Sequence, residues 1–102
     1  MMAASLRHAV FVEYVNTTFR VQLDDSNTVE TELIEVSELK LSSQQERFAI
    51  VFRGPNETLL GQGTRRFEHD EIGKFDLFLV PISRDEQGTY YEAVFNRLPK
   101  KD

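Results

Sequence analysis

The sequence predicts a mainly β domain, a small antiparallel barrel or sandwich of about six strands with a short N-terminal helix. Three observations carry this. The stretch 74–83, KFDLFLVPIS, is too short to cross a membrane as a helix and is rich in aromatic and β-branched residues. Apolar residues alternate with period two at 19–23, 47–53 and 89–96. Clusters of Gly, Pro, Asn, Asp and Ser separate these runs at short intervals.

Within 74–83, alternation places Phe75, Leu77 and Leu79 on one face and Phe78, Val80 and Ile82 on the other. A strand apolar on both faces requires cover on both, so this stretch is expected at the centre of the fold. Leu77, Phe78, Leu79 and Val80 are all expected to be buried. Gly73 opens the strand and is expected at positive φ, and Pro81, which lacks a donor, marks a frayed end or a bulge.

In chain order, Ser5 is a candidate N-cap for a short helix running to Val15. Asn16, tolerant of the left-handed region, ends it; a strand over 10–15 is the alternative. Phe19, Val21 and Leu23 then face inward along a strand that stops at the turn formers Asp24-Asp25-Ser26-Asn27. The return run, 28–41, breaks phase between Leu33 and Ile34, and a β-bulge there reconciles its two halves. Ser42-Ser43-Gln44-Gln45 reads as a polar loop. Phe48, Ile50 and Phe52 form the inner face of 47–53, which Gly54-Pro55-Asn56-Glu57 stops.

Residues 58–62 form a loop bearing Leu59 and Leu60. A short strand over 63–69 is anchored by Phe67 and reads as an edge. Gly61 and Gly63 are expected to allow a tight turn before it. After 74–83 and a polar connection at 84–88, Tyr91, Ala93 and Phe95 form the inner face of the last strand. The expected organisation is one domain over 1–96, followed by a charged, flexible tail over 97–102.

Composition narrows the function. With 102 residues, a net charge of −5 and no cysteine, the chain has neither thiolate metal ligands nor a cysteine nucleophile. Dispersed Lys and Arg on an acidic chain argue against nucleic acid. The eight phenylalanines and the pair Tyr90-Tyr91 read as core rather than as a base-stacking surface. No signal peptide or membrane-spanning stretch is expected, and a cytoplasmic location is the expectation.

Glu68-His69-Asp70-Glu71 is the densest group of potential metal ligands. Adjacent residues on a strand point to opposite faces, so a solvated turn is the favoured reading and no metal or cofactor is expected. None of the serines lies in a Gly-x-Ser-x-Gly elbow. Gly61-Gln62-Gly63 lacks both the spacing and the following helix of a phosphate loop. Paired acids such as Asp24-Asp25 and Asp85-Glu86 belong to turns. No catalytic residue is assigned. Arg53, Arg65, Arg66 and His69 are the candidates for an interaction surface, since Arg pairs well with carboxylates at protein interfaces. Pairing with the protein's own acids is the plainer reading of these arginines.

RGP at 53–55, QGT at 62–64, FEHDEIGKFDLFLVPI at 67–82 and YEAVFN at 91–96 occur in that order. Weaker elements precede them: Phe11, TTFRV at 17–21 and ELIEV at 32–36. Together they resemble a family of small bacterial and phage-associated proteins known as a domain of unknown function. Arg65 departs from the aromatic residue, such as Tyr, that this pattern has after QGT. The resemblance implies a compact β-rich unit associated with tail-like or surface assemblies, and it carries no catalytic residues. The expected function is therefore a non-enzymatic structural or protein-interaction module with a protein partner or a second copy. A small-ligand-binding barrel is the first alternative, and an enzyme whose acids converge near Glu68 and Asp70 is the second.

Overall fold

A computed structural model describes residues 7–98. These residues form one helix and seven strands: α1 (His8–Glu13), β1 (Thr18–Gln22), β2 (Thr28–Val36), β3 (Lys40–Leu41), β4 (Glu46–Gly54), β5 (Gly63–His69), β6 (Gly73–Asp85) and β7 (Gly88–Arg97). Every pairing is antiparallel, in the order β2-β1-β5-β6-β7-β4-β3, and β2 also pairs with β4. Six strands thus close into a barrel, and β3 attaches outside it to β4. Closure removes the long free edges that a sandwich would keep. No helix among the described residues is long and apolar enough to cross a membrane.

The barrel is filled rather than hollow. Phe19, Leu33, Phe52, Phe67, Phe75, Leu79 and Tyr91 belong to one buried cluster inside it. Phe19 meets Phe52 edge-on at 5.3 Å, while Phe67 and Phe75 stack at 5.7 Å. Both arrangements suit the quadrupoles of aromatic rings.

Two inserts close the ends. Phe11 of α1 is fully buried and touches the rings of Phe48, Phe75 and Phe95. Leu60, from the loop before β5, is buried at the opposite end, where its N–H donates to the Tyr91 hydroxyl at 3.0 Å.

Several local expectations hold for the reasons given. The register of β2 against β4 slips between Leu33 and Glu35, where the phase break demanded a bulge. Gly73 has φ of 100° and Asn16 has φ of 72°. The Asp24 carboxylate accepts the N–H groups of Ser26 and Asn27, and these bonds lower its pKa. A further slip, between Pro81 and Ser83, lies where Pro81 removes a donor from the ladder.

Other expectations fail, chiefly on the outside of the barrel. Phe78 is 53% exposed and Ile82 48%, while Val80 is only half-buried. A closed barrel has one inside, and β6 spends Phe75, Leu77 and Leu79 on it. No layer of the described chain covers its other face. The centre of a sheet also loses its meaning on closure, because every barrel strand has two neighbours.

Leu23 is likewise exposed, because β1 ends at Gln22 and Leu23 pairs with Asn27 in the turn. The run 28–41 is two strands, interrupted after Val36, and Leu41 is exposed on β3. Of Gly61 and Gly63, only Gly63 takes a positive φ. The last strand includes Arg97, which pairs with Glu46, so the expected tail begins one residue too early; residues 99–102 and the proposed N-cap Ser5 lie outside the described residues.

Candidate functional site

The structure does not gather the four surface candidates. Arg53 is on β4 and the others on β5, and two strands separate β4 from β5 in either direction around the barrel. The outward side chains of Arg53 and Arg66 therefore face away from each other. Arg53 is paired with Glu32 across the β2–β4 seam. Arg66 points outward and its Nε donates to Asp76 at 2.6 Å. Internal pairing thus accounts for both. Strand β5 is not an edge, since β1 pairs with it at Arg20↔Glu68 and Val21↔Phe67.

His69 is not a surface residue. It shares the inward parity of Phe67 and is buried between the rings of Phe19 and Tyr14. Its Nδ1 receives the N–H groups of Glu71 and Ile72, at 3.0 and 3.3 Å. Nδ1 is therefore the acceptor and Nε2 carries the proton, donating to Thr17 Oγ1 at 3.0 Å. The Thr17 hydroxyl in turn donates to the Tyr14 carbonyl at 2.6 Å. Burial pushes the His69 pKa down, against the pull of Asp70 and Glu71, in keeping with a neutral ring.

With both nitrogens engaged, this ring offers no lone pair to a metal or a substrate. It ties the turn after α1 to the β5–β6 hairpin. The reading of 68–71 as a solvated turn overlooked this, although the i, i+2 relation to Phe67 was in the sequence.

Arg65 has the inward parity too, but lies near the opposite end, where it donates to the Gly61 carbonyl at 3.2 Å. That end holds an apolar recess. Strand β5 begins with Gly63 opposite Leu79, so residues 80–85 of β6 continue past it with β7 on one flank only. Between this overhang and the 55–62 loop is an open groove of about 490 Å³, walled by Leu59, Leu60, Pro81, Ile82 and Tyr91 and bordered by Gly61, Ser83, Arg84 and Thr89.

The loop is held in place by Asn56. Its Nδ2 donates to the Asp85 carbonyl at 2.7 Å, and its Oδ1 accepts the Thr89 hydroxyl at 2.8 Å and Arg84 Nε at 3.1 Å. The wall is thus preorganised rather than loose.

The second exposed apolar feature is on the outside of the barrel. Phe78 on β6 and Val94 on β7, on neighbouring strands, are each 53% exposed. Ala49 pairs with Val94 on one side and Thr64 with Phe78 on the other. Neither feature was read from the sequence as a surface, because Phe78 and Ile82 had been assigned to a covered face.

The DUF6916 family, described as a domain of unknown function, has a pattern that matches residues 6–95. The chain belongs to this family. The DUF6916 match takes in α1, β1 to β6 and nearly all of β7, so it coincides with the barrel and both of its end inserts. No curated protein and no solved structure matched the chain.

Proposed function

We propose that this DUF6916 domain is a non-enzymatic protein-interaction module that acts as a part of an assembly, such as a phage-tail-like or surface structure. The observation that carries the reading is the pairing of a filled interior with uncovered apolar residues outside it, Phe78 and Val94 above all. Exposed apolar side chains on the outer face of neighbouring strands favour contact with another protein. A filled barrel leaves little room for a ligand within. On this reading the protein works in the cytoplasm or in an assembled particle and requires no metal, cofactor, nucleic acid or membrane.

The test is affinity purification from the native host with wild type and with Phe78→Glu/Val94→Glu, after circular dichroism has confirmed that both fold. A specific protein that co-elutes with wild type and is lost with the variant is the expected result. Equal recovery of every co-eluting protein sinks the outer face as the contact. A second reading, a binder of a small apolar ligand, is favoured by one observation: the groove volume lies within the range of small-molecule sites.

A further inference from the structure

We propose that the groove beside residues 80–85 of β6 docks an extended segment of a partner protein, one that carries a large aliphatic or aromatic side chain flanked by carboxylates. This rests on the interaction-module reading and names the kind of partner it takes.

The backbone comes first. Past Leu79, β6 has no strand on its β5 flank, and no backbone hydrogen bond joins it there to the 55–62 loop among the described residues. Of the backbone there, the Asn56 side chain reaches the Asp85 carbonyl, and its other bonds go to the side chains of Arg84 and Thr89. A segment laid in line with β5 extends the sheet over this overhang, as in strand addition to a free edge. Pro81 supplies no donor, so the backbone bonds come from the residues after it, and the grip must come largely from a side chain.

The groove supplies that grip. Leu59, Leu60, Pro81 and Ile82 wall it, and the buried Tyr91, its hydroxyl already occupied by the Leu60 N–H, forms part of its lining. This lining has little to offer a polar group and suits one large apolar side chain.

Charge selects the flanks. Arg84 borders the groove, and Arg65 is bound to Gly61 on its rim. Neither forms an ion pair among the described residues, whereas Arg20, Arg53, Arg66 and Arg97 each do. The nearest acid in sequence, Asp85, is turned into its own hairpin by the Gln87 N–H and the Tyr90 hydroxyl. On a chain with a net charge of −5, two guanidinium groups whose described bonds go to neutral oxygens, beside an apolar groove, favour an acidic occupant. A second copy suits the site poorly. Apart from the overhang itself, the free edge that the described residues offer on β3 is two residues long and carries Lys40.

The experiment uses the intact chain and a displayed library of random twelve-residue peptides. Enrichment of peptides with a Leu, Ile or Phe flanked by Asp or Glu is expected. For the leading synthetic peptide, Ile82→Asp should weaken binding about tenfold or more, as loss of a central apolar anchor does. Arg84→Glu should weaken it too, and exchanging the peptide's acids for Lys should restore binding to that variant. Val12→Ser, exposed on α1 at the opposite end, should leave it unchanged.

Enrichment that ignores both groove substitutions overturns the proposal, as does a groove filled only by a small molecule or by a second copy of the chain. Peptide binding lost with Phe78→Glu but not with the groove variants also overturns it, while leaving the interaction-module reading in place. Absence of any enriched peptide together with no co-eluting protein removes both.

Discussion

The two ends of the barrel are closed by different means. At the α1 end, Phe11 is buried against three rings, and His69 binds Thr17, Glu71 and Ile72 with both of its nitrogens. His8 adds a bond from α1 to the Ser37 carbonyl at 2.8 Å. At the other end a single buried leucine, Leu60, plugs the barrel, and its neighbour Leu59 is left exposed beside an open groove. Apolar surface that is fully used stabilises the fold, whereas apolar surface left over is available for binding. Packing accounts for the apolar residues of the first end, while the second keeps apolar surface open for the partner segment we propose.

Substitution of the two plugs probes this contrast most strongly. Phe11→Ala should cost about 3–5 kcal/mol, since it removes a fully buried ring whose neighbours are fixed by strands. Leu60→Ala should cost less, toward about 2 kcal/mol, because a loop can settle into the space more readily than strands can. Urea denaturation of both variants measures the difference. A larger loss for Leu60→Ala would reverse the assignment of the rigid end.

Next in size is the pH dependence that His69 gives to the α1 end. Its pKa in the folded protein lies below the ordinary value, with burial as the main cause. As pH falls below about 6.5, the unfolded chain takes up a proton that the native ring does not accept. Stability is therefore full above that pH, and falls as pH drops until the native pKa is passed. His69→Gln should be less stable at pH 7.5 and should lose less on acidification from pH 7 to 5. Parallel slopes for wild type and variant would mean that the ring is not what couples this end to pH.

Glycines sharpen the contrast at smaller cost. Gly73 turns the hairpin at the α1 end with φ of 100°, and a β-carbon there meets nothing within 4 Å. Gly73→Ala should thus cost roughly 1–3 kcal/mol through backbone strain alone. Gly61, on the groove rim, has an ordinary φ, and a β-carbon there would be 3.6 Å from the Arg65 guanidinium. Gly61→Ala should be close to neutral in thermal unfolding. Equal shifts for the two would remove conformation as the cause.

Much of the architecture was legible because strand period and turn chemistry are local. Alternation marked β1, β4 and β7, the broken phase in β2 located its bulge, and Asp24 to Asn27 announced their turn. The pairing of β2 with β4 that closes the barrel was less legible, since it depends on how the whole sheet curls. The candidate surface failed for two reasons. Parity alone already set Arg65 and Arg66 on opposite faces and put His69 beside Phe67. By contrast, the placement of β4 and β5 across the barrel from each other is a property of closure, not of any stretch of sequence. The groove was hidden for a related reason: it exists because β6 outruns β5, and relative strand lengths emerge only in the pairing.

The smallest expected effect separates the inside of β6 from its outside. Phe75 and Phe78 are both phenylalanines on one strand, three residues apart, and the sequence gives no reason to rank them. In the barrel Phe75 packs on Phe11, Phe19 and Phe67, while Phe78 is more than half exposed. Phe78→Ser should therefore change stability by about 0.5 kcal/mol or less, as surface substitutions usually do. Phe75→Ala should fall in the range expected for a buried ring, about 3–5 kcal/mol. Unfolding in urea, monitored by far-ultraviolet circular dichroism at concentrations low enough to prevent association, measures both. A large loss for Phe78→Ser in dilute solution would mean that this ring stabilises the isolated fold. A loss that appears only at high concentration, and vanishes on dilution, would instead mean that a second copy covers this face. With neither, Phe78 contributes little to folding and can be changed freely to test the outer face as a contact.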